Sequence, residues 1–242
     1  MIEKEIPITS FDVFPNSTVK PSALLRYMQQ AAREDCDSMG CTYPFMREQN
    51  TVFVLTRLGL KLFRPVTDRE VLTLKTYNNS INGLFFDREY EFFSNGEKVA
   101  HCSSFWVLIR FDTRRLVRPK DFPVQFESLG LPADVIDIPR SFDSEGVEFT
   151  EDRLVRVSDL DENNHLNNCI YADICTDALS HFDGLSQTIE EMKIIFRHEA
   201  RLGDILSLSL KTDGTEAVIF AENDTTEEPC FEAAFRFRDI DA

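Results

Sequence analysis

The chain has 242 residues, with 26 Lys and Arg against 42 Asp and Glu, a formal charge of −16, and 43% hydrophobic and 11% aromatic residues. This is the composition of a folded, acidic protein, long enough for one large domain or two smaller ones that each bury a core without disulfide staples. The acidic balance excludes nucleic acid as a general partner, because a phosphate backbone needs a basic surface, and no apolar run approaches the ~20 residues that cross a bilayer.

The opening MIEKEIPITS has neither the basic nor the apolar region of a secretory signal, so the mature protein is expected to start at Met1 and to be cytoplasmic. Pro21 to Gly40 places Leu24, Leu25, Met28, Ala31, Ala32 and Met39 at helical spacing, with Pro at the start and Gly at the end, which predicts a long amphipathic helix. Four stretches rich in β-branched and aromatic residues follow: VFVLTRLGLKLF, REVLTLKTYNN, GLFFDREYEFF and, past the Asn95-Gly96 turn, KVAHCSSFWVLIRF. They predict four strands, so the half-chain reads as α+β.

The order then repeats. Asn167 to Phe182 predicts a second helix, and MKIIFRHEARLGDILSLSLKT follows the plan of LKLFRPVTDREVLTLKT: Phe63-Arg64 leads to Glu70 as Phe196-Arg197 leads to Asp204, with one residue inserted. EAVIFAEN and EPCFEAAFRFRD supply two more strands. Two related halves are expected, at 1–118 and 148–242, joined by a linker over 119–147 that carries Pro119, Pro123, Pro132 and Pro139.

Spacing excludes several chemistries. The closest two of the nine glycines, Gly203 and Gly214, lie 11 positions apart, so a dinucleotide fingerprint, a phosphate-binding loop and a nucleophile elbow are all absent. The four histidines form no zinc helix and the six cysteines no C-x-x-C pair; neither metal nor cofactor is called for, and the thiols are expected to be reduced.

One segment gathers chemistry. In SDLDENNHLNNCIY, Asp161, Asn163 and His165 alternate just before the second helix. An extended approach would turn all three toward one face, near helix N–H groups that stabilise a developing oxyanion, which is the combination acyl transfer needs. Asn167 or Asn168 is expected to cap the helix. Sliding the halves by 147 positions puts Phe14, Asn16 and Thr18 under Asp161, Asn163 and His165, so only the second half keeps the acid and the imidazole.

Asp159-Leu160, then Asp161, Asn163, His165, Leu166, Asn167, Asn168 and Tyr171, resemble the D-x-N-x-H-V-N-N-x-x-Y signature of the acyl-acyl carrier protein thioesterases, the family of the plant enzymes and their bacterial relatives. The resemblance extends over most of the chain, including Val54 to Arg57 and Phe105 to Leu116. It implies a tandem hotdog fold, each half a long helix wrapped by an antiparallel sheet, and hydrolysis of acyl-acyl carrier protein to free fatty acid. Asp161, Asn163, His165 and Glu199 are then the expected catalytic set, and Asn168 and Tyr171 expected substrate contacts. Where the family has R-R-E-C this chain has Arg197-His198-Glu199-Ala200, so a thiol nucleophile is missing at that position and attack by water is expected. Cys169 and Cys175 are read as small apolar core residues, and His181 and His198 as ordinary surface or strand-end residues.

An acyl chain needs an apolar tunnel, and the first half is rich in Phe. Met28, Met39, Phe53 and Trp106 are the candidates to line it. The carrier protein expected of the family is acidic; Arg110, Arg114, Arg115, Arg118 and Lys120, in RFDTRRLVRPK, form the densest basic run and the candidate docking patch for it. The chain is expected to act as a monomer or a homodimer. An acyl-CoA thioesterase, a dehydratase and a non-catalytic acyl-binding module are the alternatives that the same fold leaves open.

Overall fold

The computed structural model describes residues 1–131, 135–180 and 188–238. In chain order the elements are β1 (Ile2–Pro7), α1 (Pro21–Ser38), α2 (Tyr43–Glu48), β2 (Thr51–Leu62), β3 (Val71–Asn82), β4 (Phe85–Ser94), β5 (Glu97–Arg110), β6 (Leu116–Val117), β7 (Glu148–Leu154), α3 (Ile170–Leu179), β8 (Thr188–Phe196), β9 (Ile205–Thr212), β10 (Glu216–Asn223) and β11 (Glu228–Arg238).

The expected helices and strands are present, with displaced ends. α1 buries Leu24, Leu25, Met28 and Ala31 and closes where Gly40, at φ +80°, lets Cys41 N–H return to the Cys36 carbonyl at 2.9 Å. α3 begins at Ile170 rather than at Asn167, because Asn167 Oδ1 accepts the Cys169 N–H at 3.2 Å and holds that stretch as a turn. Residues 181–182 of the expected helix, with His181, lie outside the described residues. β9 follows the period-2 rule: Leu206, Leu208 and Leu210 point inward while the intervening residues are partly exposed.

All the strands form one antiparallel sheet in the order β1-β3-β4-β5-β2-β8-β11-β10-β9-β7, with β6 on β5. The order is a palindrome, so each half contributes the same five-strand plan, and the halves join where β2 pairs with β8, Arg57 opposite Ile195. One apolar core, from Ile6 to Phe237, runs beneath both helices. This is the tandem hotdog arrangement.

The duplication extends to single hydrogen bonds. Val13 bridges Val19 as Leu160 bridges Leu166, and Thr18 bridges Thr67 as His165 bridges Arg201. Phe14 N–H donates to the Thr18 carbonyl at 2.8 Å, and Asp161 N–H to the His165 carbonyl at the same distance. Ser17 and Asn164, 147 positions apart, both hold positive φ, +65° and +60°. Arg26 and Asp173, equivalent positions on α1 and α3, form an ion pair at 3.0 Å.

Two described parts of the stretch between the halves pack against the sheet. Phe122 and Phe126 stack at 6.0 Å and join Phe53 and Phe86. Further on, Ile136 and Ile138 lie over the sheet beside Ile195, and Ile136 Cγ2 comes so close to Gly59 that a Cβ there would meet it at 2.7 Å.

Candidate active site

The loop before α3 is a tight turn, which replaces the extended run expected from alternation. Asp161 Oδ1 accepts the backbone N–H groups of Asn163 (2.8 Å) and His165 (3.1 Å), and Asn164 takes the left-handed conformation that Asn tolerates well. The Asp161 carboxylate therefore shapes the loop that presents the imidazole.

Leu166 N–H donates to the Ala200 carbonyl at 2.8 Å, which pins this loop to the segment after β8. There His165 Nε2 stands 3.2 Å from Glu199 Oε1, with the two side chains 21% and 35% exposed. Arg201 Nη2 donates to the same oxygen at 2.7 Å, and Arg114, from the turn after β5, pairs with the other oxygen. Burial would raise the Glu199 pKa, but the hydrogen bonds from His165, Arg201 and Arg114 outweigh it and hold the carboxyl far below the usual carboxylate range.

A cavity of about 230 Å³ opens beside this loop. Asn163 forms part of its wall, and Asn163 Oδ1 accepts the Tyr43 hydroxyl at 3.2 Å; Arg33 and Glu162, paired at 2.7 Å, stand next to it. The cavity then runs between α1, α2 and the first-half strands, lined by Ala32, Met46, Val52, Phe53, Phe86 and Trp106. α2 has no counterpart among the described residues of the second half, and it supplies Tyr43 and Met46 to this wall.

The structure brings His165 and Glu199 together and sets Asn163 at the cavity edge. Phe53 and Trp106 line the cavity. Met28, on the buried face of α1, is in the core and not in the cavity wall, and Met39 lines a neighbouring space. Tyr171 is 3% exposed and packs edge-on against Phe196 and Phe231, and Asn168 is half-buried beside the start of α3. Of the basic run, Arg115 and Lys120 are exposed, Arg118 pairs with Asp121 at 2.7 Å, Arg110 Nη1 donates to the Gln49 carbonyl at 3.0 Å, and Arg114 is committed to Glu199.

Sequence reasoning missed Arg201 and Tyr43 as neighbours of these groups. Arg201 carries a signal, since it follows Glu199 by two positions and extended chain puts such residues on one face. Tyr43 carries none, because it sits in a helix of six residues. Cys169 and Cys175 are buried as expected, and burial pushes both thiols up, away from the thiolate a nucleophile requires.

Known proteins share this fold. Over nearly its whole length the chain resembles the crystal structure of an acyl-ACP thioesterase from Bacteroides thetaiotaomicron, with a TM-score of 0.86 at 19% identity, 98% of this chain and 97% of that one being covered. The 12:0-ACP thioesterase from Umbellularia californica gives a TM-score of 0.85 at 19% identity, over 98% and 96% of the two chains. At these identities the likeness speaks to the fold alone. Among curated sequences, the dodecanoyl-[acyl-carrier-protein] hydrolase of Cinnamomum camphora is 23% identical over 92% of this chain and 63% of its own length. The palmitoyl-acyl carrier protein thioesterase of Gossypium hirsutum is 24% identical over 71% and 45%. The chain thus spans about half to two thirds of these relatives. The sequence models of the acyl-ACP thioesterase N-terminal and C-terminal domains match residues 1–123 and 144–241, and the chain therefore belongs to the acyl-ACP thioesterase family.

Proposed function

We propose that the protein hydrolyses the thioester of acyl-acyl carrier protein, releasing free fatty acid and the carrier's thiol. The observation that carries this reading is the His165–Glu199 pair, 3.2 Å apart, with His165 on a loop whose Asn163 lines a largely apolar cavity. In a family of acyl thioesterases, an imidazole on the loop that borders an apolar pocket, paired with a carboxylate, supports hydrolysis of an acyl thioester.

In this reading the acyl chain lies in the first-half cavity, and the carbonyl stands toward the N-terminus of α3, whose positive dipole end favours the oxyanion. Water adds to the carbonyl carbon as His165 takes its proton. The tetrahedral intermediate then collapses, the C–S bond breaks, and the proton passes from His165 to the departing sulfur. Glu199 is a poor base because three donors hold it ionised, so its part is to orient His165 and balance the imidazolium. Asp161 fixes the loop and Asn163 orients the thioester group. Ala200 offers no thiol, and the buried thiols of Cys169 and Cys175 support direct attack by water.

The division of labour follows: residues 1–118 hold the acyl chain, 148–242 carry the chemistry, and 119–147 connect them, with Phe126 of that connection lending a wall to the cavity. Asn168 and Tyr171 contribute beside the helix start, Tyr171 by packing. The exposed Arg115 and Lys120 meet the acidic carrier, with Arg110 and Arg118 alongside. The protein works in the cytoplasm, as a monomer or a homodimer; among the described residues no helix is long and apolar enough to cross a membrane. Equal yields of thiol and free fatty acid from an acyl-carrier substrate would support the reading. Loss of water from a β-hydroxyacyl substrate without thiol release, or tight acyl retention without turnover, would replace it with a dehydratase or a binding module.

A further inference from the structure

An ion pair stands at one wall of the acyl cavity. Arg88, on β4, lines the cavity, and its Nη2 donates to Asp35 Oδ2 of α1 at 2.8 Å, with the two side chains 5% and 6% exposed. The same guanidinium donates to Asn78 Oδ1 at 3.0 Å and to Thr76 Oγ1 at 3.1 Å. Asn78 lines this cavity and also a second one, of about 310 Å³, on whose wall Asp35 stands with Ser38, Tyr77 and Gln125. The Arg88–Asp35–Asn78 cluster is therefore a partition between two spaces, one with an apolar sheath and one with polar walls.

We propose that this cluster is the stop that ends the acyl chain and sets the longest chain accepted. The inference rests on the thioesterase reading in taking the first cavity as the acyl site, and it deepens that reading by naming what bounds the substrate. Each methylene buried in the cavity gains about fourfold in binding. Separating one partner from a buried ion pair costs several hundredfold or more. A chain pushing through the partition would have to bury about four or more further methylenes to offset that loss, and past the wall it would meet carboxylate, hydroxyl and amide groups. Chains that end at the partition gain, and longer ones do not.

The test measures binding of non-hydrolysable acyl-pantetheine thioethers of increasing length by calorimetry, alongside thiol release from the matching thioesters. Wild-type affinity is expected to climb about fourfold per methylene and then to break off. Asn78→Ala, which thins the partition and keeps the ion pair, is expected to move the break to longer chains; Arg88→Ala combined with Asp35→Ala, which removes both charges together, is expected to move it further. Should the double variant fail to fold, Asn78→Ala decides. A break at the same length in folded Asn78→Ala, an affinity that climbs without a break in wild type, or no thioether binding would overturn the proposal. A shifted break without thiol release would keep the stop and discard the hydrolase reading; thiol release with an unshifted break would do the reverse.

Discussion

Arg114, on the turn after β5 of the first half, pairs with Glu199 of the second half, so the carboxylate beside His165 is held by both halves. The β2–β8 junction makes this possible, since β5 and β8 flank β2 in one sheet.

The first prediction separates two neighbours in the basic run. Arg114→Gln is expected to lower kcat by up to ~10²-fold for carrier-linked and small thioesters alike, because it loosens the group that orients His165. Arg115→Glu is expected to raise KM for the carrier-linked substrate only, with a salt-dependent effect. Steady-state kinetics on both substrates checks this; an Arg114 effect confined to the carrier-linked substrate would return it to the docking patch.

The second concerns pH. Glu199 stays ionised well below the usual carboxylate range, so its own titration shapes no limb of the rate profile near neutral pH. Glu199→Gln is expected to lower kcat, because it removes the group that holds the imidazole, while leaving the limbs of the profile in place. A limb that disappears would assign it to Glu199 instead.

The third concerns the repeated acidic turn. Glu70 accepts hydrogen bonds from Arg64, Thr67 N–H and Ser94 that outweigh its burial and bring its pKa down from 4.5 to about 2. Such a group stabilises the fold above its unfolded pKa, and the contribution fades as pH falls through the folded value. Glu70→Gln is therefore expected to be less stable than wild type at pH 7, with the gap closing as pH falls from 4.5 toward 2. Urea titrations along that range would show it; a gap independent of pH would mean that the charge plays no part.

The fourth concerns the strap over the sheet. Gly59→Ala is expected to cost about 1–3 kcal/mol, because its Cβ would meet Ile136 Cγ2 at 2.7 Å. Ile136→Ala should be less damaging in that background than alone, a coupling that a double-mutant thermal series would reveal.

Much of the fold was legible because its period is local. Leu206, Leu208 and Leu210 state a half-buried strand by themselves, and the 147-residue offset places Thr18 on His165, a match that the paired bridges to Thr67 and Arg201 bear out. β1 was missed as a six-residue strand at the sheet edge, α2 as a helix of six residues, and β7 because its burial pattern lacks a strong apolar face. In the site, the His165–Glu199 pairing was visible only through resemblance. The turn of Asp161 toward the backbone was hidden because it depends on the positive φ of Asn164. Arg114 lies 85 positions from Glu199 and meets it only through tertiary pairing, so no local pattern marks it.

The most direct test of the account is thiol release by the purified protein and by His165→Ala from matched acyl-carrier and acyl-CoA substrates. The account predicts faster release from the carrier-linked series and a loss of about 10²–10⁴ in the folded variant. Release by His165→Ala at the wild-type rate would contradict it.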